Sequence, residues 1–462
     1  MKVKQAKGIV VAGLSGGSGK SVVSVGITAA LQETGNRVTP FKKGPDYIDA
    51  GWLHCAAGRS CYNLDPFLVG EEQILHSFHS RSVDSDYAIV EGNRGLYDGV
   101  TATGGYSTAE LSITLGLPIL LVVNCTKTTR TIAALVLGCM KLDPRVSICG
   151  VVLNQIATNR QEKVITEAIE HYCGVPVLGA IRRMKKDIFP MRHLGMVPHQ
   201  EYDNSNDAVK LLAQKVYESV DLDRVIDCMA PVPLPEAVAS ESHASTREER
   251  LKIGFIQDAA FQFYYQENLD ALEQNGARLI PVNALEDKRL PDLDGLYIGG
   301  GFPETSAREL SLNRSFRESL KDKIESGLPV YAECGGLIFL GESITLDEQR
   351  YPLVGIFQVD FGMEEKPQAH GYSIFNVASE NPFYPVGSEV KGHEFRYSSI
   401  LHHSKETTHL TLQMKRGTGF VDKKDGLVYK NVLALYTHIH AEGTPEWAEG
   451  FMARCREQKR PV

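Results

Sequence analysis

The sequence predicts an α/β protein of two domains, each a parallel sheet covered by helices. Three observations carry this. Short runs that are apolar on both faces alternate with helical stretches, which is how strands buried between two helical layers read. The rhythm stops at 229–250 (MAPVPLPEAVASESHASTREER), where three prolines precede a Ser/Glu/Thr-rich, exposed and semi-extended tract. It then starts again. The predicted organisation is a first domain over 1–235, a linker over 236–250 and a second domain over 251–462.

In chain order, GIVVA (Gly8–Ala12) is the first strand. A helix follows over Ser21–Glu33, with Val22, Val25, Ile27 and Leu31 as its apolar side. YAIV (Tyr87–Val90), PILLVV (Pro118–Val123) and ICGVVL (Ile148–Leu153) are further strands, each ending in polar residues before a helical stretch. Beyond the linker come a strand at Lys252–Ile256, a helix near Tyr264–Gln274, and strands at Leu279–Val282 and Gly295–Gly299. A helix over 306–326 leads to a strand at Pro329–Ala332, and 351–440 holds shorter strand-like pieces with turns. No repeat with a period of 20–50 residues is present.

The composition is that of an ordinary globular chain. Its 462 residues are 43% apolar, 23% charged and 8% aromatic, which argues against disorder, collagen and coiled coil. With 49 Lys+Arg against 57 Asp+Glu the net charge is -8, so no broad basic footprint for nucleic acid or an anionic membrane is expected. The basic N-terminus resembles a signal peptide, but the apolar stretch Ile9–Leu14 is too short and runs into glycines. No segment approaches the ~20 apolar residues of a membrane span. Nine cysteines, an odd number with no CxxC among them, suggest neither a disulfide framework nor a zinc site. The expectation is a soluble protein of the reducing cytoplasm, without nucleic-acid or membrane partners.

Gly13-Leu-Ser-Gly16-Gly17-Ser-Gly19-Lys20-Ser21 lies between a strand and a helix, the context a phosphate loop requires. Glycines let backbone N–H groups converge on phosphate oxygens, and the helix N-terminus adds its positive dipole. Lys20 is placed to neutralise the β/γ-phosphates and Ser21 to hold Mg²⁺. Five residues separate Gly13 from Gly19 where the common loop has four, so this is a variant loop. Glu91 ends the strand YAIV, where open parallel sheets place their ligands, and is a metal-ligand candidate with Asp98 on the adjoining loop. Lys42-Lys43-Gly44-Pro45-Asp46-Tyr47-Ile48-Asp49 reads either as a solvated turn or as a loop carrying chemistry. Asn124 and Asn154 each end an apolar run, to read a base or ribose or to cap a helix.

In the second domain, Pro329-Val-Tyr-Ala-Glu-Cys334-Gly335-Gly336 reads as strand, tight turn and helix. A thiol at a helix N-terminus is biased toward thiolate, and backbone N–H groups near Gly335 are placed to help form an oxyanion hole. His438, in Ala434-Leu-Tyr-Thr-His438-Ile-His440-Ala-Glu442, is the candidate base. A paired structural or metal role for His438 and His440 stays open. Gly299-Gly300-Gly301-Phe302-Pro303-Glu304 is a candidate second wall of that pocket, or a plain glycine-rich turn.

Together the chain resembles the cobyrinic acid a,c-diamide synthase family throughout both domains. The motifs are GLSGGSGKS, FKKGPDYID, NLDPF (63–67), VEGNRGLYDG, GVVLN, YIGGGFPE, AECGGL, GHEFRYS (392–398) and ALYTHIH, in that order. The first half is similar to dethiobiotin-synthetase-like P-loop ATPases, whose loop shares the five-residue spacing. The second resembles class I glutamine amidotransferases of flavodoxin-like fold. The resemblance implies a ligase that uses ATP, Mg²⁺ and L-glutamine to amidate the a- and c-acetate carboxylates of a cobyrinate- or sirohydrochlorin-type tetrapyrrole through an acyl phosphate. It implies Gly16, Gly17, Gly19, Lys20, Ser21 and Asn154 around the nucleotide, and Ser21, Asp46 and Glu91 around the metal. It implies Asp49, Asp98 and Arg94 toward the acceptor, Cys334 as nucleophile and His438 as base. A homodimer is compatible with this reading.

Three departures from related patterns matter. Many class I amidotransferases carry His-x-Glu, whereas His438 is followed two residues on by His440, so the acidic partner is missing or supplied elsewhere. The register His440-Ala-Glu442 would restore that pattern. Ser15 replaces the lysine of partition-type ATPases, which argues against a dimerising partition switch. Arg94 in EGNRG resembles the subfamily acting on sirohydrochlorin-type rings, including nickel-sirohydrochlorin and sirohaem. Rival readings are a cobyric-acid-synthase-like amidase of other side chains and a non-enzymatic P-loop ATPase scaffold. EGNRGLYDG weighs against the first, and the Cys334–His438 pair against the second.

Overall fold

The computed structural model describes residues 5–184, 191–192, 195–202, 204–234, 250–404, 406 and 408–459. The expected linker lies outside them except for its last residue. The chain divides into two compact units, Met1–Ser240 and Glu241–Val462.

The first unit is built on β1 (Lys7–Gly13), β2 (Val38–Lys43), β3 (Tyr62–Leu64), β4 (Tyr87–Glu91), β5 (Ile119–Asn124), β6 (Ile148–Ile156) and β7 (Val177–Arg182). These strands run parallel in the order β3-β2-β4-β1-β5-β6-β7, and Ala230–Pro231 adds a short antiparallel pair to β1. Helix α1 (Lys20–Glu33) packs Val23, Ile27 and Leu31 onto Ile9, Val11, Ile89 and Leu120. Burying each such side chain stabilises the unit by ~1.5–3 kcal/mol. From β1 the chain crosses to β2 on one side, and from β4 it crosses over β1 to β5 on the other. That reversal opens a crevice at the carboxyl ends of β1 and β4, where the glycine-rich loop and Glu91 lie.

Of the two readings of Lys42–Asp49, the solvated turn does not hold for Lys42 and Lys43, because β2 is buried along its whole length and both belong to it. The turn begins only at Gly44, which has φ +86°. Its N–H donates to the Leu64 carbonyl at 3.1 Å.

The second unit holds a ten-stranded mixed sheet. Its order is Ala277–Val282, Leu251–Ile256, Gly295–Ile298, Val330–Glu333, Val432–Leu435, Lys424–Tyr429, Leu410–Arg416, Ala369–Val377, Glu389–Arg396 and His438–Ile439. The first five strands pair in parallel and the rest antiparallel. The fifth and tenth strands are separated by only Tyr436 and Thr437 in the chain, so the antiparallel half must curl back on itself. The helix expected over 306–326 is two helices, Ala307–Leu312 and Arg314–Glu325. Asn313 breaks it because its amide donates to the Ala284 and Asp287 carbonyls, both at 2.8 Å. Among the described residues, no helix is long and apolar enough to cross a membrane.

Candidate functional site

In the first unit the phosphate loop braces itself. Ser18 Oγ donates to the Ser15 carbonyl at 2.9 Å and accepts from the Ser15 N–H at 3.1 Å. Gly19 has φ +92°, and a Cβ there would stand 1.9 Å from Asn154 Nδ2. Asn154, buried within β6, reaches the loop and donates to the Ser18 carbonyl at 3.0 Å. Asn124 instead caps its own turn, accepting from the Thr126 N–H. Nothing stands within 4 Å of a Cβ built on Gly16 or Gly17.

Beneath the loop lies a buried cluster of opposite charges. Ser21 Oγ donates to Glu91 Oε1 at 2.8 Å, and Ser24 Oγ donates to Glu91 Oε2. Lys42 Nζ reaches Asp49 at 2.5 Å, Glu91 at 3.1 Å and Asp46 at 3.7 Å. Asp46 accepts the Asp49 N–H at 2.9 Å. Burial works against charge on Lys42, but Asp49, Glu91 and Asp46 outweigh it and raise its pKa. Burial also pushes on Asp49, yet Lys42 holds that carboxyl below its ordinary value. Burial, with Asp49 alongside, pushes Asp46 up to about 7. Glu91 is raised by burial in spite of Lys42. Lys20 is lowered by burial and by repulsion from Lys42, and its ammonium donates to the Arg94 carbonyl at 2.7 Å.

Arg94 and Asp98 are placed differently from the other candidates. Arg94 is exposed, has φ 51° and meets Lys20 through its backbone. Asp98 is exposed and accepts the Gly95 N–H at 2.8 Å, shaping the loop. Leu96 N–H then donates to the Gly13 carbonyl at 2.7 Å, tying this loop to the phosphate loop. Ser21, Glu91 and Asp46 offer only oxygen donors, the set Mg²⁺ prefers. Among the described residues no group of three or more His, Cys, Asp or Glu is arranged to hold a metal by itself.

In the second unit Cys334 sits between strand Val330–Glu333 and helix Gly335–Leu340 with φ 45° and ψ −97°. That conformation costs ~1–3 kcal/mol and persists only where surroundings enforce it. Cys334 N–H donates to the Leu435 carbonyl at 2.8 Å, and its own carbonyl accepts from Ile338 N–H at 3.0 Å. A side chain on Gly336 would meet the Ile298 carbonyl at 2.5 Å, so the elbow needs its glycine.

His438 meets the elbow from the tenth strand, where Cys334 and Glu333 both act on its imidazole. Its Nδ1 lies 3.3 Å from Glu333 Oε2. Burial disfavours its charge, but the hydrogen bonds and charges of Cys334 and Glu333 outweigh burial and carry it up to about 10. The register opposes His393 to His438, and the two rings stack at 4.8 Å. A Cβ on Gly300 would come within 2.4 Å of His438 Cε1, so the GGG turn lies against the imidazole. His440 diverges from His438: its ring packs on Tyr265 at 4.7 Å and its Nε2 is 3.7 Å from Glu267.

Several residues escaped the sequence reading. Ser24 completes the Glu91 cluster beside Lys42, which the sequence placed in a charged segment without a role, and Asn63 of NLDPF pins the GPD turn by donating to the Gly44 and Asp46 carbonyls. Glu333 and His393 were inside quoted motifs, yet only the curl of the sheet brings them to His438. In the same GHEFRYS motif, the Arg396 guanidinium lies 3.8 Å from the Tyr436 ring centre.

Residues 9–194 match the CobQ/CobB/MinD/ParA nucleotide binding domain, and residues 252–446 match the CobB/CobQ-like glutamine amidotransferase domain. Over its length the chain is similar to the cobyrinate a,c-diamide synthase of Magnetococcus marinus, 43% identical over 95% of this chain and 94% of that one. It is similar to the protein of that name in Archaeoglobus fulgidus, 38% identical over 98% of each. The one in Methanobrevibacter smithii is 37% identical over 97% of this chain and 99% of that one.

Proposed function

Because this chain belongs to the cobyrinate a,c-diamide synthase family of glutamine-dependent amidating ligases, we propose that it amidates the a- and c-acetate carboxylates of a cobyrinate- or sirohydrochlorin-type ring through an acyl phosphate. The observation that carries this reading is Cys334 at a strained elbow beside the buried His438–Glu333 pair, in a chain that also bears a phosphate loop over a carboxylate cluster.

In the glutaminase half, Cys334 Sγ attacks the amide carbon of glutamine and His438 delivers a proton to the departing ammonia. Water then resolves the thioester to glutamate. In the ligase half, Gly16, Gly17, Gly19 and Asn154 shape the cradle for ATP phosphates, and Lys20 offsets their charge. Ser21, Glu91 and Asp46 would hold Mg²⁺, which when bound neutralises phosphate oxygens. Asp49, Asp98 and Arg94 orient the acceptor. A ring carboxylate attacks the γ-phosphorus and ADP leaves. Ammonia attacks the resulting acyl phosphate, and phosphate departs to give the amide. The activation is needed because a carboxylate is inert to amines at neutral pH.

The test is to incubate the protein with ATP, glutamine and cobyrinate, sirohydrochlorin, nickel-sirohydrochlorin or sirohaem, and to weigh the products. Two acid-to-amide conversions on one ring are expected, and none on any ring would refute the proposal. Arg94 favours a sirohydrochlorin-type ring as the second reading.

A further inference from the structure

We infer that Glu333, the residue immediately before the nucleophile, is the acidic positioning residue of the glutaminase site, taking the place of the carboxylate that a His-x-Glu pattern would supply. This inference rests on the proposed roles of Cys334 and His438.

Three donors converge on the buried Glu333 carboxylate. Its Oε2 accepts from Tyr297 Oη at 3.0 Å and faces His438 Nδ1 at 3.3 Å. Its Oε1 accepts from Ile439 N–H at 3.2 Å. Glu333 is 1% exposed and His438 2%, so neither charge has water to lean on. A buried carboxylate beside one imidazole nitrogen fixes the ring's orientation and its tautomer. With Nδ1–H directed to Glu333, Nε2 is the nitrogen left to serve Cys334.

The topology explains why the carboxylate comes from this position. Strand Val330–Glu333 runs parallel to Val432–Leu435 with Glu333 opposite Leu435. The chain then passes Tyr436 and Thr437 and enters the last strand at His438, directly over the end of the strand that carries Glu333. The alternative acid, Glu442, belongs to the short turn Ala441–Gly443, and His440 before it faces Glu267.

The remaining ionisable groups leave this pairing undisturbed. On the other face of His438, His393 is kept far below its ordinary value by burial first and then by His438 and His440, so it stays neutral. Around Glu333, burial raises Tyr297, Tyr331, Tyr264 and Tyr384, which therefore remain neutral hydroxyls. Cys334 and Glu333 together hold the His438 proton against burial.

Glu333→Gln retains the shape and removes the charge. It is expected to lower kcat for glutamate release by ~10²-fold with KM for glutamine little changed. The alkaline limb of its kcat/KM profile is expected to move to lower pH, since the imidazolium loses its anionic partner. Glu333→Asp, which keeps the charge, is expected to hold that limb near the wild-type position. A urea midpoint close to wild type, followed through the second unit's aromatic signal, reports that each variant is folded. Unchanged kcat and an unmoved limb in Glu333→Gln would overturn the inference, as would a limb displaced equally in Glu333→Asp. Glutamate release that survives Cys334→Ala would instead refute the glutaminase reading beneath it.

Discussion

Lys42 is the residue on which the first unit's buried charges depend. Its ammonium answers Asp49, Glu91 and Asp46 together. Removing one side of a buried ion pair strands the other, at a cost of ~3–5 kcal/mol. Lys42→Met is thus expected to unfold at lower urea concentration. Asp49 has a depressed folded pKa, so its contribution exists above the ordinary carboxylate range and fades as pH falls. The deficit of Lys42→Met should therefore narrow in acid, as urea titrations at two pH values would reveal. Asp425 has the opposite sign. Burial, then repulsion from Glu394, lifts it from 3.8 to about 7. The folded state then holds a proton that the unfolded chain has released, so wild-type stability declines as pH rises from about 4 to about 7. Asp425→Asn does not titrate, and its stability relative to wild type should improve over that interval and level off above it.

Elements place these residues. The strand-to-helix elbow sets Cys334, and the glycine turn after Gly295–Ile298 makes room for His438. In Gly300→Ala the new methyl would push the imidazole aside. A displacement near 1 Å costs ~10²-fold in a positioned reaction, so glutamate release should fall by about that factor while ammonia-driven amidation continues. Asn313 acts on structure alone. Asn313→Ala leaves two carbonyls without their donor, which costs ~1–3 kcal/mol and should appear as a lower urea midpoint with glutaminase kcat preserved. The elbow and the phosphate loop were legible because each is a local pattern of glycines between a strand and a helix. The break at Asn313 was not, because the carbonyls that cause it lie 26 to 29 residues away.

At the scale of the molecule, the proposed function gives each unit one chemistry. Lys20→Ala is expected to abolish ATP-dependent amidation while glutamate release persists. Cys334→Ala is expected to abolish glutamine-dependent amidation while added ammonia still serves. Assays of glutamate and amide product on both variants check the division, and loss of both activities in either variant would contradict it. The sequence alone determined the fold class, the family, the strand–turn–helix that carries Cys334, and the glycine-rich loop with Glu91 at its neighbouring strand end. These follow from short-range chemistry, since hydrophobic period, glycine placement and a charged residue at a strand end are all written within a few neighbouring positions. Tertiary structure alone decided which groups complete each cluster. Lys42 meets Glu91 across 49 residues and Glu333 meets His438 across 105. Such pairings depend on strand order and on the curl of a sheet. A buried charge must find its partner wherever the folded backbone delivers one, and chain separation gives no measure of that distance.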